Sequence, residues 1–125
     1  MEAHSIAWHQ SPLHKAAEFY TAKGDDFWKS LDYHQRFGCV YMDYECFGMM
    51  RPCLSDDPFT FCSPENADAW YVDFAFGDGA VGKLARIAQA ANPQIKLIGF
   101  TRNNDEASIK FYTLNKFIRR TNGII

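Results

Sequence analysis

The sequence has no long apolar run, no clustered positive charge and no closely spaced cysteine pair, and each absence removes a class of protein. No apolar stretch approaches the roughly 18 residues that a membrane span requires, and Met1-Glu2-Ala3-His4 lacks the basic and apolar regions of a secretory leader. A cytoplasmic protein with no membrane partner is the expectation. The 13 basic residues form no run longer than Arg119-Arg120, and a net charge of -2 with a pI near 6.0 argues against a nucleic-acid partner. Cys39, Cys46, Cys53 and Cys62 stand 7, 7 and 9 positions apart, which matches no zinc or redox pattern, so reduced thiols in the core or hairpin are expected. His4, His9 and His14 recur every five residues, a spacing that does not stack side chains on a helix, and no metal is expected. His34 reads as a surface helix residue.

What is present is one domain's worth of material: 125 residues, 47% of them hydrophobic, enough to bury a core without metals or disulfides. A single domain over 1–125 is expected. Residues 1 to 11 carry no clear periodicity. From Pro12 to about Phe37, Leu13, Ala16, Ala17 and Tyr20 share one helical face, Gly24-Asp25-Asp26 breaks the run, and Phe27, Trp28 and Leu31 resume it, predicting two short helices. Alternation over Cys39–Tyr44 and an apolar run over Phe47–Arg51 predict an antiparallel hairpin. Residues 52 to 68 hold three of the five prolines and read as loop, with Phe59-Thr60-Phe61 as a short strand.

From Ala69 to Phe76 an aromatic and β-branched run predicts a central strand, with Tyr71, Asp73 and Ala75 on one face and Val72, Phe74 and Phe76 on the other. Gly77-Asp78-Gly79 then leads into a helix whose apolar face is Val81, Leu84, Ile87, Ala88 and Ala91, closed at Asn92-Pro93 because the residue before proline avoids the α region. Ile95–Phe100 is the next strand, parallel to the first across the helical crossover. The stretch Asp105–Phe117 reads as a helix with Asn104 as N-cap, in which Ser108, Phe111, Tyr112 and Asn115 recur at i, i+3, i+4 and i+7. Phe117–Arg120 and Ile124-Ile125 offer final strands.

A glycine turn feeding a helix directly after a strand points backbone N–H groups outward at the positive end of the helix dipole, a natural seat for phosphate. Gly77-Asp78-Gly79-Ala80-Val81-Gly82-Lys83 has this shape but lacks the GKS/T of a nucleotide P-loop. A tight turn with no ligand would look the same.

Taken with the stretch Asp105-Glu106-Ala107-Ser108-Ile109-Lys110-Phe111-Tyr112, followed by Lys116-Phe117, this order resembles the GNAT family of acyl-CoA-dependent N-acetyltransferases. There the penultimate helix commonly reads N-x-x-A/S-x-x-F/L-Y and then G-F. The resemblance covers residues 69 to 120 and extends coarsely to the N-terminal half. It implies an α/β (α+β) fold: a GNAT-like mixed sheet with an antiparallel N-terminal hairpin, a parallel central strand pair and flanking helices. It also implies an acetyl group passed from acetyl-CoA to an amine, on a small molecule or a protein, by direct attack. In that frame Phe74, Ala75 and Phe76 would bond the acyl-CoA, and Gly77, Asp78, Gly79, Ala80, Val81, Gly82 and Lys83 would hold its pyrophosphate. Asn104, Ser108 and Phe111 would line its pantetheine side, and Tyr112 would protonate the departing thiolate. Asp73 is the candidate base for the acceptor amine, with Asp43 and Glu45 as rivals. Gly77 stands where the family has Q/R, Asp105 where it has asparagine, and Lys116 where it has glycine. The alternative is therefore a catalytically degenerate GNAT-like binding or structural protein, such as a phage-type inhibitor or virion component. An exposed hairpin edge is also a surface on which a homodimer could form.

Overall fold

Two helices open the described part of the chain, and their boundaries are set by local chemistry. The computed structural model describes residues 12–101 and 109–118. Helix α1, Pro12–Ala22, buries Ala16 and Tyr20, four residues apart on one face, with Leu13 and Ala17 packed beside them. It stops at Gly24, whose φ of 81° lets the Asp25 N–H donate back to the Tyr20 carbonyl at 2.8 Å. Helix α2, Phe27–Phe37, starts on Asp26, whose Oδ1 accepts from the N–H groups of Trp28 at 2.9 Å and Lys29 at 3.3 Å.

Five strands follow in one sheet, ordered β1-β2-β3-β4-β5: β1 Cys39–Met42, β2 Phe47–Cys53, β3 Ala69–Phe76, β4 Leu97–Phe100 and β5 Lys110–Thr113. Only β3 and β4 pair in parallel; the other neighbours are antiparallel. Helix α3, Ala80–Ala91, makes the crossover between β3 and β4. The fold is thus a mixed α/β sheet with an antiparallel hairpin, a parallel central pair and helices on both faces. Met49 and Met50, adjacent on β2, point to opposite faces. Met50 joins Trp70, Val72, Ile98 and the α3 residues Leu84, Ala85 and Ala88, whereas Met49 joins Phe47, Phe74 and the helices α1 and α2.

Several expectations shift in detail. The face that α3 buries is centred on Leu84, Ala85 and Ala88, with Ala91 exposed, because the helix lies rotated toward its small residues. Strict alternation along β3 fails at Asp73: Met50 is opposite Val72 and Met49 is opposite Phe74, so Asp73 is the extra residue of a β-bulge. Val72 therefore faces α3 while Phe74 faces α1 and α2. Phe59–Phe61 is turn rather than strand; the loop is pinned instead by Ser55 on Asp68, through N–H at 2.8 Å and hydroxyl at 2.7 Å.

The largest correction concerns the C-terminal segment. Lys110–Thr113 is strand β5, antiparallel to β4, and residues 114–118 are helical, where a helix through Tyr112 and a strand from Phe117 were expected. The free edge of β4 outcompetes the helical periodicity: Ile109, Phe111, Tyr112 and Thr113 are β-branched or aromatic, and pairing lets the Tyr112 ring stack on Phe100 with centroids 5.5 Å apart. Leu114 and Ile118, four apart on the following turn, are buried in the α3-side core. The proposed strands at 119–120 and 124–125, and the N-cap at Asn104, lie outside the described residues.

Candidate functional site

The bulge at Asp73 is where strand, helix and loop side chains converge. Its Oδ2 lies 2.7 Å from His34 Nε2 and accepts from Arg51 Nε at 2.9 Å. Arg51, on β2, also donates through Nη1 to the Pro58 carbonyl at 2.6 Å and lies over the Tyr71 ring, 4.9 Å from its centroid. His34 is 4% exposed, which corrects its reading as a surface residue. Its Nδ1 lies 2.7 Å from the Ser30 carbonyl, an acceptor only, so Nδ1 carries a hydrogen. The Nε2–Oδ2 contact then needs one more proton, on the imidazole or on the carboxyl. The sheet thus brings an imidazole and a guanidinium onto one carboxylate oxygen.

Two cavities meet at this residue. One, about 370 Å³, lies between α1, α2, β2 and the 59–61 loop, and is lined by Tyr20, Ser30, Tyr33, His34, Arg51, Phe59, Phe61 and Asp73, with Lys23 and Asp25 beside them. The other, about 330 Å³, is lined by Phe19, Val72, Asp73, Phe74, Ala75, Val81, Phe100 and Thr101. The second exists because the parallel pairing stops early. Ala69, Trp70 and Tyr71 pair with Leu97, Ile98 and Gly99, while β3 runs on to Phe76 with no parallel partner among the described residues. Asp73 lines both cavities.

Burial pushes the Tyr20 phenol up to about 12, and the Asp73 and Asp25 charges add to the effect. The Ser30 hydroxyl stands near enough to pull it partway back, yet not in hydrogen-bonding geometry: the Tyr20 hydroxyl is buried without a hydrogen-bond partner. The glycine turn opens α3 as expected, with Gly77 at φ 96° and Gly79, the N-cap, at φ 78°. A Cβ on Gly77 would run into the Glu45 carbonyl and Cys46, so the side chain is missing because the β1–β2 turn packs there. The space around Gly79 is open.

Of the residues singled out from the sequence, Asp73, Phe74, Ala75 and Val81 come together on the gap, while Phe76, Gly77, Asp78, Gly79, Ala80 and Gly82 form the strand end and helix start beside it. Lys83 turns away. Its Nζ bonds Asp43 Oδ2 at 2.6 Å and lies 3.5 Å from Cys46 Sγ. That bond holds the Asp43 carboxyl well below the usual range, helped by donors from Glu45, Tyr41 and Cys46, and it raises the Lys83 ammonium. Asp43 is thereby committed to the hairpin turn, and neither it nor Glu45 lines either cavity. Tyr112 is one ring removed from the gap, behind Phe100, and Phe111 packs on the other face with Cys53, Ala69 and Tyr71. Asn104 and Ser108 lie outside the described residues.

The sequence reading missed His34, Arg51 and Tyr20 as site residues. A signal for His34 was present: Phe27, Leu31 and His34 sit at i, i+4 and i+7, which places the imidazole on the apolar face of α2. All four cysteines are free, and among the described residues no group of three His, Cys, Asp or Glu is placed to hold a metal ion and no helix is long and apolar enough to cross a membrane. Compared with known protein families, characterised proteins and solved structures, the chain matches none.

Proposed function

We propose that the chain is a GNAT-like N-acyltransferase that admits acyl-CoA between β3 and β4 and an amine from the α1–α2 side, with the two meeting at Asp73. The observation that carries this reading is the early end of the β3–β4 pairing. Among the described residues nothing pairs with the β4-facing edge of β3 from Val72 to Phe76, and backbone groups on that edge would suit an extended chain of amides such as pantetheine. The first N–H groups of α3 lie at the same end of the gap, where Val81 lines the wall. Phosphate there would be held by backbone alone, since Lys83 is engaged by Asp43. Bound in this gap, acyl-CoA supplies an activated acyl thioester.

The chain's own residues then have two tasks. The β3 edge orients the donor, and Asp73, with His34 behind it, takes the proton that the acceptor nitrogen must release as its bond to the acyl carbon forms; the bond from that carbon to the thioester sulfur breaks, and the CoA thiolate leaves and takes up a proton from solvent. Arg51 fixes the carboxylate from the opposite side through the same oxygen. Tyr112 has no place in this scheme, because Phe100 stands between it and the gap.

Calorimetric titration with acetyl-CoA tests the reading. Micromolar to submillimolar binding, lost when Ala75→Trp fills the gap, is the expected result; no heat at millimolar ligand sinks it. The engaged Lys83 and the remote Tyr112 favour a second reading, a GNAT-like binding protein without turnover. Acetyl-CoA binding with no thiol released in the presence of a panel of amines would select it.

A further inference from the structure

We infer that the cavity between α1, α2 and the sheet captures a small carboxylate with a flat apolar body, its oxygens held by the Nη2 amino group of Arg51. A guanidinium presents Nε–H and one Nη2–H side by side, a fork that fits two oxygens. Asp73 Oδ2 takes the Nε–H at 2.9 Å, and the Pro58 carbonyl takes one hydrogen of Nη1 at 2.6 Å. Nη2 donates to nothing among the described residues, yet it is not one of the partnerless side-chain atoms sealed from solvent, which are Tyr20 Oη and Trp70 Nε1. An open donor on a side chain only 14% exposed therefore meets the cavity that Arg51 lines. The two hydrogen bonds, with the Tyr71 ring centroid 4.9 Å away, hold the guanidinium in place before any ligand arrives.

The charge on the lining selects the sign of the ligand. His34 Nδ1 carries a hydrogen for the Ser30 carbonyl, and the contact between Nε2 and Asp73 Oδ2 holds another. Whichever atom bears that second proton, His34 and Asp73 together are neutral, so Arg51 leaves the cluster with a net positive charge. Lys23 and Asp25, both exposed, add one charge of each sign, and the rest of the lining is uncharged. A carboxylate cancels the surplus, whereas an ammonium adds to it and finds Asp73 already matched. Phe59 and Phe61 supply the apolar half of the recognition. They are 53% and 61% exposed, on the loop that Arg51 reaches through Pro58, so a flat body would cover rings that otherwise face water. Capture of the carboxylate does not need the acyltransferase reading; within that reading, the acceptor would be an amine that also carries a carboxylate.

The test is calorimetric titration of the full chain, without any CoA compound, using 3-phenylpropionate as probe and its amide and phenethylamine as neutral and cationic counterparts. The carboxylate is expected to bind at least about tenfold more tightly than either counterpart. Arg51→Lys keeps the charge but loses the fork, and should weaken carboxylate binding by about tenfold or more. Phe61→Ala alters a ring that is mostly in water, so the chain still folds, and binding should weaken roughly three- to tenfold. The inference is overturned if either counterpart binds as tightly as the carboxylate, or if the carboxylate does not bind at millimolar concentration. An unchanged carboxylate affinity in Phe61→Ala, or in a folded Arg51→Lys, overturns it as well. Parallel titration with acetyl-CoA separates the two claims. Carboxylate binding without acetyl-CoA binding supports the capture site and removes the acyltransferase; acetyl-CoA binding without carboxylate binding does the reverse.

Discussion

Replacing Asp73 with asparagine keeps the shape of the side chain and removes the charge on which His34 and Arg51 converge. The side chains of His34, Arg51 and Asp73 are 5%, 14% and 23% exposed, so solvent can restore little of what is lost. Charge-assisted hydrogen bonds contribute about 1.5–3 kcal/mol each, and stripping one partner from a buried pair costs about 3–5 kcal/mol. Because Asp73 is nearly a quarter exposed and asparagine still offers one acceptor, a loss of about 2–4 kcal/mol is expected. For a chain of this size that corresponds to a fall of about 10 °C in melting temperature. Urea unfolding at pH 7 reads the free energy, and thermal melts read the temperature. Asp32→Asn is the internal control, since its pair with Arg36 joins side chains 60% and 69% exposed and should be worth under about 0.5 kcal/mol. If Asp73→Asn costs no more than Asp32→Asn, the three-residue cluster does not form and the site built on it falls.

Gly77→Ala must accept both a φ of 96° and a collision with the β1–β2 turn, whereas Gly79→Ala at φ 78° meets open space. The first should cost about 2–3 kcal/mol and the second about 1 kcal/mol, read as urea midpoints; equal costs would mean that the hairpin turn does not pack on Gly77. The Asp43 carboxyl is held below its ordinary value by Lys83, so its contribution is fully present above about pH 4 and is lost as pH falls toward the depressed folded value. Melting curves of native chain and Asp43→Asn should therefore converge as pH is lowered from 5 to 2, and a gap that stays constant would exclude the Lys83 bond as its source.

Much of the fold could be read from local patterns. The break at Gly24, the Asp26 cap, the hairpin, the strand Ala69–Phe76 and the helix ending before Asn92-Pro93 each depend on residues within a few positions of one another, and local sterics, capping and periodicity act over that range. Asp73, Phe74, Ala75 and Val81 were placed near one another for the same reason, since they flank a single strand-to-helix turn.

The parts that were misread depend on distant partners. Phe111 and Tyr112 have helical spacing relative to Ser108, yet they lie on a strand because β4 offers an unpaired edge, and no window around residue 110 contains that edge. The bulge that makes Asp73 a meeting point arises from a register with Met49 and Met50, more than twenty positions away. His34 is 39 positions from Asp73 and Arg51 is 22, so their convergence on one oxygen, the orphaned Tyr20 hydroxyl beside them and the gap that opens past Tyr71 exist only once the sheet is assembled. Sequence by itself determined the elements and most of their ends, because those energies are short-ranged. Tertiary structure alone decided which side chains share a cavity, because strand pairing and helix docking join residues that the chain keeps far apart.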